Sequence, residues 1–250
     1  MARRQVTVYQ DDTYIVSYPK SGNTWTRFLL ANLLSPNQEV DFLNIEGLVP
    51  DIYQALDLKL SQIARPRYLK SHEYFDPRYK KVVYIVRDPR AVAVSYYHHL
   101  IKMRRIEPAL SMEDYVQGFL RGDWDDFGTW GENVGSWLGA RRESKDFLLL
   151  RYEDLKADAQ KGIAEIARFL NLSLSDEQAQ LVQERSSFEN MARLEKEQTK
   201  QWRPTKNSRQ DMAFVRSGKA AGWREELSPE LAELIYETWQ EQMNELGYEK

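Results

Sequence analysis

Short apolar runs alternate along the chain with stretches of helical periodicity. Tyr14, Ile15, Val16, Ser17 and Tyr18 read as a buried strand, and Pro19-Lys20-Ser21-Gly22-Asn23 breaks it. Phe28, Leu29 and Leu33 then recur at helical spacing and predict a helix over residues 24–34. Residues 35–66 carry a weak pattern, read as short helices and loops. A second short strand covers residues 68–71 and ends at His72. Residues 82–86 are apolar throughout, as expected of a strand covered on both faces, and the run stops at Arg87. Asp88 is a good N-cap and Pro89 a good first helical residue, which predicts a helix to about Met103.

Residues 122–139 are rich in Gly, Trp and Asp and partly helical, with Trp130, Val134, Trp137 and Leu138 on one stripe. Residues 147–150 form a fourth strand that ends at Arg151-Tyr152. Ile163, Ile166, Ala167 and Leu170 mark an amphipathic helix, and Ser175 with Gln178 is a capping-box signature for the next. Residues 195–211 are polar, contain Pro204, and read as a long mobile loop. Ser228-Pro229 caps a last helix through Leu231, Leu234, Ile235, Trp239, Met243 and Leu246, stopped by Gly247.

Alternating strands and helices predict an α/β fold: one domain over residues 1–250 with a central parallel sheet flanked by helices. In such sheets ligands sit beyond the carboxyl ends of the strands. Those places hold Lys20, Lys70 with His72, Arg87 and Tyr152.

Composition narrows the function. The chain has 250 residues, with 35 Lys+Arg against 38 Asp+Glu, so it lacks the bulk basic charge of a nucleic-acid binder while leaving room for a local basic pocket. Aromatic residues make up 12%, too many for a disordered chain. There is no Cys, which excludes disulfides and thiolate metal sites and suits a reducing compartment. No apolar run approaches the roughly 20 residues a membrane span needs, and no targeting segment is visible, so a cytoplasmic protein is expected.

The turn after the first strand is the strongest chemical signal. Tyr18-Pro19-Lys20-Ser21-Gly22-Asn23-Thr24-Trp25 leads a strand through a tight Gly turn into a helix, so backbone N–H groups and the helix dipole converge where Lys20 adds a charge. This is a P-loop-like phosphate cradle, but the Walker sequence G-x-x-x-x-G-K-[ST] is missing. A nucleotide kinase or a non-catalytic nucleotide-binding module would share the cradle. Arg87 sits at a strand end, where its guanidinium suits a phosphate, and Ser95 lies two turns into the next helix on the face of Asp88. Arg216-Ser217-Gly218-Lys219-Ala220-Ala221-Gly222-Trp223 is a basic loop able to wrap a second phosphate.

Together and in this order, the three motifs resemble those of the cytosolic-type sulfotransferase family, which uses 3′-phosphoadenosine 5′-phosphosulfate (PAPS) and releases PAP. Residues 18–25 are similar to that family's 5′-phosphosulfate loop, residues 87–96 to its 3′-phosphate motif, and residues 216–223 to its late loop R-K-G-x-x-G-D-W. The resemblance implies that the backbone of Ser21, Gly22, Asn23 and Thr24 holds the 5′-phosphate while Lys20 reaches the bridging or leaving oxygen. It implies 3′-phosphate contacts from Arg87, Ser95, Arg216, Ser217 and Gly218. Trp25 and Phe188, within Ser186-Ser187-Phe188, would flank the adenine, with Tyr152 near the base. Lys70-Ser71-His72 is similar to the family's K-T-H, which makes His72 the general base and Lys70 a catalytic partner. The implied reaction is in-line transfer of a sulfuryl group to a hydroxyl or amine of a small molecule, without a metal.

Some positions depart from the family pattern. Ser217 stands where the family has Lys, leaving open whether Lys219 next door replaces that cation or points away, and Tyr74 replaces the Pro of K-T-H-x-P. The dimerisation signature K-x-x-x-T-V-x-x-x-E is not kept, since residues 224–233 carry Pro229 at the Val position, and the oligomeric state stays open. His98 and His99 are expected to pack, and Trp124, Trp130 and Trp137 to supply core and pocket lip. The acceptor pocket is expected from variable loops over residues 41–60, 101–137 and 195–211.

Overall fold

Four short strands form one sheet in the computed structural model, which describes residues 6–216 and 218–250. The first half of the chain runs β1 (Thr13–Ser17), α1 (Asn23–Leu34), α2 (Ile45–Leu48), α3 (Asp57–Ser61), β2 (Tyr68–Ser71), β3 (Lys81–Val86), α4 (Pro89–Lys102), α5 (Met112–Arg121) and α6 (Trp130–Arg141). It continues through β4 (Phe147–Arg151), α7 (Tyr152–Ala157), α8 (Ala159–Phe169), α9 (Asp176–Arg185), α10 (Phe188–Gln198), α11 (Pro229–Thr238) and α12 (Gln240–Glu245). The strand order is β2-β1-β3-β4, and every pairing is parallel.

Because side chains alternate across a strand, the continuous apolar runs feed two cores. Tyr14, Val16, Val82, Tyr84 and Val86 face one side, against Val92 and Tyr96 of α4, Tyr115 and Phe119 of α5, Trp130 and Trp137 of α6, and Ile235 of α11. Ile15, Val83, Ile85 and Leu150 face the other, against Phe28 and Leu29 of α1, Ile163 and Ile166 of α8, and Met191 and Leu194 of α10. Both faces are thus covered, the three-layer arrangement that the apolar strands require.

The expected caps form. Asp88 accepts from the Arg90 amide with Pro89 in the first turn, and Ser175 and Gln178 close a reciprocal capping box. Three expectations are corrected. Residues 112–121 within the supposed acceptor loops are helical, because Ser111 caps Asp114 and Tyr115, Val116 and Phe119 form a buried stripe. Residues 195–211 are not a free loop. α10 runs to Gln198, Trp202 packs between Phe42 and Phe214, and the buried Glu195 carboxylate accepts from the amides of Phe214 (2.5 Å) and Val215 (2.7 Å). The last helix divides at Trp239, whose ring lodges against Phe119 and Trp130.

Among the described residues, the ion pair with the least exposure lies between β1 and β2. Arg67, just before β2, grips Asp12, just before β1, with both side chains at most 1% exposed, and Arg67 also donates to the carbonyls of Leu60 and Thr7. It ties the amino ends of two neighbouring strands. Asp12→Asn leaves the guanidinium without its counter-charge and is expected to cost about 3–5 kcal/mol in urea unfolding; a loss under about 1 kcal/mol would show that the pair does not hold the strands.

Candidate active site

Parallel strands end on one edge, so the residues that follow β2, β1, β3 and β4 are brought to a single crevice. The cavity there measures about 690 Å³, within the range of small-molecule sites. Lys20, Gly22, Asn23, Thr24, Trp25, Lys70, His72, Arg87, Ser95, Tyr152, Ser186, Phe188, Arg216 and Gly218 all line it.

The loop after β1 is shaped by two left-handed residues, Lys20 (φ 66°) and Gly22 (φ 101°). At Gly22 a Cβ would also lie 2.6 Å from the Tyr152 ring, so only glycine fits. Gly22 serves as the N-cap of α1 without any side-chain cap, which leaves the first amides of a 12-residue helix as free donors. The Asn23 amide side chain is used internally, donating to the Ile15 carbonyl (3.2 Å) and to Ser17 Oγ (3.1 Å). Ser21 is fully buried beneath the loop. Its N–H donates to the Tyr18 carbonyl at 3.3 Å, so it braces the turn and does not line the cavity. Lys20 Nζ lies 4.4 Å from the centre of the Phe214 ring. Burial and then the charge of Arg87 lower its pKa to about 7.

Arg87 places its guanidinium over Tyr152, 4.2 Å from the ring centre, and donates to the carbonyls of Lys219 (3.0 Å) and Lys20 (3.4 Å). Its Nε has no protein partner among the described residues. Trp130 Nε1 holds the Arg87 carbonyl, and Glu153 accepts from the Asp88 amide, so the turn is fixed from both sides. Arg216 is steadied by Glu226 at 2.7 Å, and Glu226 also meets His98 Nε2. Lys219 pairs with Glu225 at 3.1 Å and does not line the cavity. Ser217 itself lies outside the described residues. Trp25 Nε1 donates to the Ser186 carbonyl at 2.9 Å and its ring meets Tyr152 edge-on, while Phe188 packs where a Cβ on Gly218 would be 2.7 Å away.

His72 sits at the other end, between Tyr53 (stacked, 6.1 Å) and Phe127 (edge-on, 5.3 Å). Its Nδ1 lies 2.7 Å from the Ser17 carbonyl. A carbonyl only accepts, so Nδ1 carries the proton and Nε2 keeps its lone pair. Burial, reinforced by Lys70, drives the imidazole pKa down to about 3. Lys70 Nζ donates to Asp51 Oδ2 at 2.8 Å.

Asp51, Tyr53, Phe127, Phe214 and Glu226 were not marked by any motif. His99, expected only to pack, lines the cavity beside Phe214, 5.8 Å between ring centres. Trp130 and Trp137 are core, Trp124 bonds to the Tyr115 carbonyl, and none of the three reaches the cavity. Among the described residues no cluster of three or more His, Cys, Asp or Glu could hold a metal, and no helix is long and apolar enough to cross a membrane.

The chain matches the sulfotransferase domain family over residues 10–247. It is 31% identical over 252 residues to the 3-beta-hydroxysteroid sulfotransferase of Cavia porcellus, covering 96% of this chain and 86% of the relative. It is 29% identical to sulfotransferase 2A1 of Macaca fascicularis, covering 99% and 89%. Its fold matches retinol dehydratase, solved with retinol and PAP, with a TM-score of 0.77 at 24% identity over 95% of this chain and 82% of that one. The chain belongs to the sulfotransferase domain family. Its reaction is PAPS-dependent sulfuryl transfer to a small-molecule acceptor.

An anion bound at the loop would hold Lys20 protonated, so nucleotide binding there would take up a proton whenever Lys20 is neutral beforehand. With a free pKa of about 7, affinity for PAP is full below pH 7 and falls above it. Between pH 6.5 and 8.5 the loss is expected to be roughly 20-fold, with proton uptake seen by calorimetry in buffers of different ionisation enthalpy. Lys20→Met should flatten this dependence; an equally steep one in the variant would place the titrating group elsewhere.

Proposed function

We propose that the whole chain, residues 1–250, is one sulfotransferase domain that holds PAPS by both phosphate ends and presents its sulfur to a hydroxyl activated by His72. The free amides opening α1, at Gly22, Asn23 and Thr24, take the 5′-phosphate, with Ser21 supporting the turn. Arg87, Ser95, Arg216 and Gly218, with Ser217 between them in sequence, take the 3′-phosphate. Trp25, Phe188, Tyr152 and Ser186 frame the base.

His72 Nε2 accepts the acceptor's hydroxyl proton as the oxygen attacks sulfur. One S–O bond forms to the acceptor while the S–O bond to the 5′-phosphate breaks, and the electron pair stays on the phosphate oxygen. Lys20 neutralises that oxygen, and Lys70 faces the transferring group; cations and N–H donors placed where charge grows lower the barrier. Burial lowers the His72 pKa to about 3, so Nε2 is unprotonated at ordinary pH.

The observation that carries this reading is the 2.7 Å contact of His72 Nδ1 with the Ser17 carbonyl, which leaves the basic nitrogen free on a ring that lines the cavity. Tyr53 and Phe127 wall that end with aromatic surface, which supports a largely apolar alcohol or phenol as acceptor. The relative named for a 3-beta-hydroxysteroid points the same way. The cytosolic type that the sequence resembles supports a cytoplasmic setting.

His72→Ala is expected to leave PAP affinity within about threefold and to lower kcat by about 10³. Calorimetry with PAP and turnover with PAPS and a panel of phenols and aliphatic alcohols read the two. Parental kcat in the variant would overturn the base assignment.

A further inference from the structure

The segment before α3 adds a short extension to the sheet edge. The Lys70 amide donates to the Pro50 carbonyl at 2.8 Å and the Ile52 amide to the Lys70 carbonyl at 3.2 Å, which puts Asp51 beside Lys70. Asp51 Oδ2 accepts from Lys70 Nζ at 2.8 Å, with each side chain only 12% exposed. The carboxylate is itself held. Asp51 Oδ1 accepts from the Tyr53 amide at 2.9 Å, and the Asp51 amide donates to Glu46 Oε2 at 2.8 Å. Glu46 Oε1 is bound by Arg27 of α1 at 2.8 Å, and Arg27 also donates twice to the Val49 carbonyl. A chain of fixed groups therefore runs from the helix that begins at the phosphate loop to the ammonium at the far end of the same cavity.

We propose that Asp51 is a positioning residue for sulfuryl transfer: it keeps the Lys70 ammonium charged and pinned at the cavity wall, two residues from the base. This rests on the reading of Lys70 as a participant in the transfer. An ammonium in a dry wall sheds its proton unless a carboxylate offsets the lost hydration. Of the other groups that face Lys70, Glu46 is already spent on Arg27. Arg27 of α1 and Lys20 of the loop after β1 repel it, while His72 after β2 and His99 of α4 are neutral. Without Asp51 the charge keeps only the face of the Tyr53 ring, 5.1 Å away, among the described residues. An ammonium has three N–H donors, and Asp51 takes one, so two remain for the oxygens of the transferring group.

The test is the pH dependence of kcat for the parent, Asp51→Asn, Asp51→Ser, Asp51→Glu, Lys70→Met and the double variant Asp51→Asn with Lys70→Met, each checked for PAP binding. In Asp51→Asn and Asp51→Ser the alkaline limb should fall by at least about one pH unit, so that kcat drops about tenfold near pH 8 and recovers toward pH 6. Asp51→Glu should keep the parental limb. Asp51→Asn should add no loss to Lys70→Met. Lower activity with an unshifted limb, or higher activity, in both neutral variants would overturn the role of Asp51 alone. Parental kcat in Lys70→Met would instead overturn the role of Lys70, and that of Asp51 with it.

Discussion

Positive charge gathered at one edge of a parallel sheet, away from bulk water, is the constraint around which this molecule is organised. Lys20, Lys70, Arg87 and Arg216 face one cavity, and each is compensated differently. Lys70 has Asp51, Arg216 has Glu226, and Arg87 has two carbonyls and the face of Tyr152. Among the described residues Lys20 has an aromatic face at 4.4 Å and no carboxylate in an ion pair, and burial followed by the charge of Arg87 lowers its pKa. A ligand with anionic groups at both ends would supply the balance. Lys20 is thus a cation without a carboxylate partner, whereas Lys70 keeps one through Asp51.

The fold makes that convergence inevitable. All-parallel pairing aligns the carboxyl ends, and the two cores hold the strands in register from both faces. Elements far from the chemistry then lock the loops. Glu195 of α10 takes the amides of Phe214 and Val215 and lies 3.6 Å from the buried ammonium of Lys102, which itself donates to the Met212 and Arg209 carbonyls. This network seats Phe214 over Lys20. At the other side of the sheet, Tyr248 and the Asp88 amide share the carboxylate of Glu153, next to Tyr152. The Phe214 turn and the Asp88 turn are thus both tied down by buried polar groups.

The strands were legible in the sequence because burial on both faces leaves continuous apolar runs, and the phosphate loop because its turn and helix start are local. The Ser175–Gln178 box and the Asp88–Pro89 cap were legible for the same reason. Residues that depend on distant partners were not. Asp51 meets Lys70 only after a loop folds back against the sheet edge, and Glu195 looks like one more surface carboxylate until Lys102 and the Phe214 turn arrive. Polar composition made residues 195–211 look loose, whereas Trp202, Thr205 and Ser208 are buried. His99 gave no local signal, since its place in the cavity wall comes from the packing of α4 under Phe214.

The account turns on recognition of both phosphate ends, and calorimetry tests it most directly by comparing PAP with adenosine 5′-phosphate on the parent and on Arg87→Ala. The parent should bind PAP far more tightly, and the substitution should erase most of that preference while leaving the weaker binding of adenosine 5′-phosphate almost unchanged. Equal losses for the two nucleotides, or no preference in the parent, would contradict it.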